Sequence, residues 1–206
     1  MKDFNETEML VARDMITAGL KKAAESLSFF MKENISFKDP DYYKNWGDSA
    51  WELSPKKEPN IHLLTTEIVG DLKGICCLIF SEEEANQLRR TALPVEITSN
   101  PALMAEMSDA IMLEVDNIIT ASVITEFSNM LKQKMHGGVP QLQKLNFMQL
   151  NGFVSSEKNK DRYSINFKTH FVTAKGNFNP EFLWLLDSSF VECIKNFASN
   201  KTVHTS

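Results

Sequence analysis

Apolar residues recur at helical spacing from about Glu8 to Lys32, where Met9, Ile16, Leu20, Ala23, Ala24, Leu27 and Met31 share one face. The stretch that follows, Phe37 to Asn60, is rich in Asp, Lys, Pro, Tyr and Trp, and predicts a long loop or a short helical excursion. Two apolar runs, Ile61 to Val69 and Ile75 to Phe80, then flank Gly70-Asp71-Leu72-Lys73-Gly74 and predict a hairpin. Ser81 stands three residues before Glu84, the arrangement of a capping box that opens a helix.

The second half repeats this order. A long helix is predicted from about Pro101 to Met135, stopping at Gly137-Gly138 and Pro140. Its buried stripe reads Met104, Met107, Ile111, Val115, Ile118, Ile124, Phe127 and Leu131, so its methionines read as core. A polar stretch around Ser155 to Arg162 precedes two more apolar runs, Tyr163 to Ala174 and Phe182 to Leu186, with a turn at Lys175-Gly176-Asn177. Asp187-Ser188-Ser189 then opens a last helix through Phe197. The duplication shows in the residues as well. Ala12 to Gly19 aligns without gaps on Glu114 to Ala121, and Thr65 to Val69 resembles Lys168 to Val172. The expected fold is one α+β domain over 1–206, built from pseudo-symmetric helix-hairpin-helix units at about 8–100 and 101–200. Their hairpins would join in one mainly antiparallel sheet covered by helices.

Composition narrows the function classes. Lys+Arg 22 against Asp+Glu 27 gives a formal net charge of -5, and no basic run exists, which argues against nucleic acid. The N-terminus has no apolar run behind a basic start, and no stretch approaches the ~20 apolar residues of a bilayer span, so neither a signal peptide nor membrane insertion is expected. Cys76, Cys77 and Cys193 make an odd count, and the adjacent pair points to opposite faces of a strand. Reduced thiols and a cytoplasmic location follow as expectations. His62, His136, His170 and His204 show no metal-ligand spacing.

The chemistry centres on Glu114 and Asn117, three positions apart and therefore side by side on the long helix. Ala110 and Ala121 flank them on the same face, where small side chains let a partner surface come close. An amide can orient a water for attack, and a carboxylate beside it can pair with a cation on whatever binds. Tyr42, Tyr43, Trp46 and Trp51 are candidates for an aromatic lid or, more simply, for packing a long loop onto the domain.

Glu114-x-x-Asn117, then twenty-two residues, then Pro140, together with the duplicated helix, resembles the CheC/CheX/FliY family of CheY-phosphate phosphatases. The resemblance covers most of the chain except Phe37–Asn60. It implies a CheC-like fold and a phosphatase acting on the aspartyl phosphate of a CheY-like response-regulator receiver, in chemotaxis or related two-component signalling. In that role Asn117 positions the water and Glu114 pairs with the receiver's lysine. Magnesium is expected on the partner receiver, and this chain needs no cofactor of its own. Ala12 and Met15 fall where an active first copy would carry Glu and Asn, which implies one site, as in CheX, and by the same likeness a possible homodimer. Ala110 stands where family members often carry Ser or Asp. The alternative is a non-catalytic CheC-like domain that binds a receiver or another signalling protein.

Overall fold

The structure, a computed structural model, describes residues 4–42, 59–158, 160 and 162–203. The first half comprises α1 (Glu6–Met31), β1 (Ser36–Tyr42), β2 (Ile61–Gly70), β3 (Gly74–Ser81), α2 (Glu82–Ala92) and the short α3 (Val95–Thr98). The second comprises α4 (Pro101–Leu131), β4 (Met135–Gly137), β5 (Gln141–Leu145), α5 (Phe147–Lys158), β6 (Tyr163–Thr173), β7 (Gly176–Phe178), β8 (Glu181–Leu186) and α6 (Ser188–Val203). Asn5 and Glu8 form a capping box at the start of α1, and Ser81 and Glu84 form the expected one at α2.

The strands form one sheet in the order β1-β6-β8-β3-β2-β4, with β5 also on β2 and β7 also on β6, every pair antiparallel. The two expected hairpins, β2–β3 and β6–β8, meet along β3 and β8. The halves also exchange strands: β1 of the first pairs with β6, while β4 and β5 of the second pair with β2. Side chains alternate between two cores. Cys76, Leu78, Phe182 and Trp184 face the layer of α1 and α4, whereas Cys77, Ile79, Leu183 and Leu185 face Leu150 and Val154 of α5. Cys76 and Cys77 therefore sit on opposite faces, as their adjacency predicts.

Three expectations need correction. Ser36–Tyr42 is strand rather than loop or helix; Pro40, which has no N–H to give, lies where the β1–β6 register shifts between Lys38 and Asp41. Tyr43, Trp46 and Trp51 lie outside the described residues. The long helix stops at Leu131, because Lys132 adopts the left-handed conformation and caps it. Met107 is 37% exposed, and Met104 and Ile118 are only partly buried. The stripe is completed instead by Met112, Ile119 and Val123, each wholly buried.

Burial also resets the alignment of the two long helices. All ten buried positions of α1 recur in α4 at the interval separating Lys32 from Lys132, and both lysines are left-handed caps. In that register Val11 matches Ile111, Ile16 matches Asp116 and Leu27 matches Phe127. The text match of Ala12 with Glu114 is thus two residues out, since Ala12 and Met15 are wholly buried core. In this register Gly19 matches Ile119 rather than Ala121. Its smallness serves helix packing: a Cβ there would stand 2.5 Å from the Val123 backbone. In an open helix Gly→Ala would stabilise by ~1 kcal/mol. Gly19→Ala is expected to reverse that sign and cost about 1–3 kcal/mol by overpacking, read from the midpoint of urea unfolding.

Candidate functional site

Glu114 and Asn117 are both exposed, one turn apart on α4. Among the described residues neither side chain takes part in a hydrogen bond or ion pair, so both donor and acceptor capacity face outward. They belong to a longer exposed stripe at alternating spacings of four and three: Leu103, Met107, Ala110, Glu114, Asn117, Ala121. Leu103 is 43% exposed, so the stripe is apolar at its start and polar at its centre.

Several contacts fix where this stripe points. On the opposite face Val115, Ile119 and Val123 are buried against the sheet and α1. Lys144 of β5 pairs with Asp109 at 2.9 Å, and Lys22 of α1 pairs with Glu126. Farther along, the Phe127 ring lies 5.3 Å from Trp184 of β8 and 5.4 Å from Phe190 of α6. Pro140 lies in the break between β4 and β5, both on the free side of β2, after the Gly138 N–H donates to the Glu67 carbonyl at 2.8 Å. The interval from Asn117 to Pro140 is therefore the second half of α4, its cap and the short strand β4.

Sequence reasoning missed Asp116. It is wholly buried, accepts from the Thr66 hydroxyl of β2 at 2.6 Å and from Thr120 one turn on at 3.3 Å. The available signal was a carboxylate at i, i+4 between Met112 and Thr120, in the middle of a buried stripe. Burial pushes its carboxyl up from the ordinary 3.8 to about 6, against the two hydroxyl hydrogen bonds. Burial likewise raises the Cys76 thiol, and the neighbouring Asp116 charge acts in the same direction. A carboxyl raised on folding contributes stability that is whole below pH 3.8 and is lost as pH rises through about 6. Asp116→Asn removes that penalty. It is expected to stabilise the protein by up to about 3 kcal/mol at pH 7.5 and by nothing near pH 3.5, measured by urea unfolding at both.

The first half offers a contrast. In the register set by burial, Asp14 and Thr17 occupy the places of Glu114 and Asn117. Tyr42 of β1 lies beside this place: its hydroxyl donates to the Arg13 carbonyl at 3.5 Å, and the Arg13 guanidinium lies 4.5 Å over its ring. Burial pushes the Tyr42 hydroxyl up to about 12. The position of Tyr42 corresponds to Leu142 in the second half, which leaves Asn117 uncovered by any such ring. The histidines serve elsewhere. His62 lies beneath α2 with Nε2 2.9 Å from Glu82, and His170 bridges Asp41 and Asn179 at 2.9 and 3.0 Å. His204 lies outside the described residues.

No protein-family model matches the sequence, and no curated protein matches it. Solved structures do. FliY of Thermotoga maritima superposes with a TM-score of 0.70 at 15% identity, over 98% of this chain and 100% of that one. The chain has the CheC-like fold. CheX of Borrelia burgdorferi, in its complex with CheY, BeF3 and Mg2+, matches with a TM-score of 0.53 at 16% identity, over 85% and 99%. The FliM middle domain of Vibrio alginolyticus matches with 0.58 at 11% identity, over 90% and 99%. No helix among the described residues is long and apolar enough to cross a membrane.

Proposed function

We propose that this protein is a phosphatase for the aspartyl phosphate of a CheY-like receiver in chemotaxis or related two-component signalling. The observation that carries the reading is the exposed Glu114–Asn117 pair on α4, in a CheC-like fold whose solved examples include CheX in complex with CheY. In this reading α4 docks on the receiver along its exposed stripe. The Asn117 amide accepts from and donates to a water and holds it in line with the phosphorus. Water oxygen bonds to phosphorus, the bond from phosphorus to the aspartyl oxygen breaks, and the receiver's carboxylate leaves. Glu114 pairs with the receiver's lysine and sets the register. Magnesium and the phosphoryl group belong to the receiver. Asn117 thus contributes orientation of the nucleophile rather than a proton-transfer group.

A second reading, a receiver-binding domain without turnover, is favoured by Ala110 at the position where phosphatases of this family often carry Ser or Asp. The two separate in one pair of measurements. Binding to a beryllofluoride-activated receiver is expected in both, whereas accelerated phosphate release from a phosphoramidate-treated receiver is expected only of the phosphatase. Binding with no acceleration would establish the second reading instead.

A further inference from the structure

The duplicated fold holds an internal control for one buried contact. Thr66 of β2 and Thr169 of β6 are equivalent positions: Ile68, two residues beyond the first, lies opposite Gly137, and Phe171, two beyond the second, lies opposite Phe37. Both threonines are buried. In α1 the position of Asp116 is Ile16 and that of Thr120 is Leu20, both wholly buried and apolar. Thr169 Oγ1 is accordingly buried with no hydrogen-bond partner among the described residues. Thr66 Oγ1 instead donates to Asp116 at 2.6 Å. An apolar residue therefore fits this position in the fold, and the carboxylate at 116 meets a demand that packing alone does not make.

That demand is directional. Apolar side chains packed on a sheet tolerate small rotations of a helix about its axis, whereas a short hydrogen bond to a β-strand hydroxyl does not. Asp116 also directly precedes Asn117 and stands two residues after Glu114. A rotation of α4 that lengthened the Thr66 contact would swing both away from their common target. Thr120 fixes the second carboxylate oxygen from within the same helix, which holds the carboxylate plane while Thr66 ties it to β2.

We propose that Asp116 is the positioning residue of the site: its bond to Thr66 locks the rotation of α4 and so aims Glu114 and Asn117 at the bound partner. The catalytic part of this proposal rests on the phosphatase reading, whereas the lock itself does not. Three variants test it: Asp116→Asn, which keeps an acceptor for Thr66; Asp116→Ile, which copies the first half; and Thr66→Val with Asp116→Ile, which removes both ends of the bond to β2, so that no hydroxyl at position 66 is left unpaired. One-bond N–H residual dipolar couplings along α4 oscillate with the helical period, and their phase reports the rotation of the helix about its axis. The phase is expected to shift in both variants carrying Ile and to return to the wild-type value in Asp116→Asn. In the same set, kcat for receiver dephosphorylation falls about tenfold or more in the Ile variants as Asn117 turns away, KM rises as Glu114 turns with it, and Asp116→Asn restores both. An unchanged phase in the folded double variant overturns the lock. A shifted phase with undiminished kcat overturns its role in the site. Loss of the phosphatase reading shows separately, as receiver phosphate that decays no faster with the wild-type chain than alone, and leaves the phase result standing.

Discussion

Asn117→Ala is expected to lower the stimulated loss of phosphate from a phosphorylated receiver by at least about a hundredfold, to near the receiver's own rate. The size follows from what the residue is asked to do. An attacking water free to tumble must be caught in line with the phosphorus, and orienting it removes an entropic part of the barrier that Ala cannot supply. Fold stability should be unaffected, because Asn117 is exposed and takes part in no hydrogen bond or ion pair among the described residues. Receiver binding should persist. Glu114→Ala differs in kind: the lost pairing with the receiver's lysine weakens binding, by about tenfold in affinity, and is expected to show mainly in KM. Steady-state rates of phosphate release across receiver concentrations separate the two effects.

Phe127→Ala is the largest expected loss of stability, about 3–5 kcal/mol. Phe127 is wholly buried and joins three elements, with rings of β8 and α6 at 5.3 and 5.4 Å. Truncation leaves a cavity that neighbouring rings cannot fill without leaving their own contacts, and it removes two aromatic pairs besides. Phe127→Leu, which keeps much of the volume and is the residue at the equivalent Leu27, should cost clearly less. Urea unfolding of the two variants checks the order. A smaller loss in Phe127→Ala than in Phe127→Leu would mean that this ring does not anchor α4.

Much of the architecture was legible because its signals are local. The two hairpins, the capping box of α2 and the long helices declare themselves through period, turn residues and caps within a few positions. What escaped was non-local. Strand β1 carries Lys38, Asp39, Pro40 and Asp41, and only its pairing with β6, more than a hundred residues away, makes it a strand. The register of the repeat is set by burial and by two left-handed caps a hundred residues apart, and Gly19 owes its smallness to the backbone of Val123 in another helix. Glu114 and Asn117 could be picked out because their spacing is a property of one helix. Asp116 could not be interpreted, since its meaning comes from a hydroxyl on β2. The fold alone does not decide the chemistry either, because FliY, CheX and the FliM middle domain all share it. The activity therefore has to be argued from the two exposed side chains.

The most direct measurement follows a CheY-like receiver, phosphorylated with a small-molecule donor and freed of it, as its aspartyl phosphate decays alone, with this protein and with Asn117→Ala. The account predicts faster decay with the wild-type chain and the receiver's own rate with the variant. Equal decay in all three, or equal acceleration by both proteins, would contradict it.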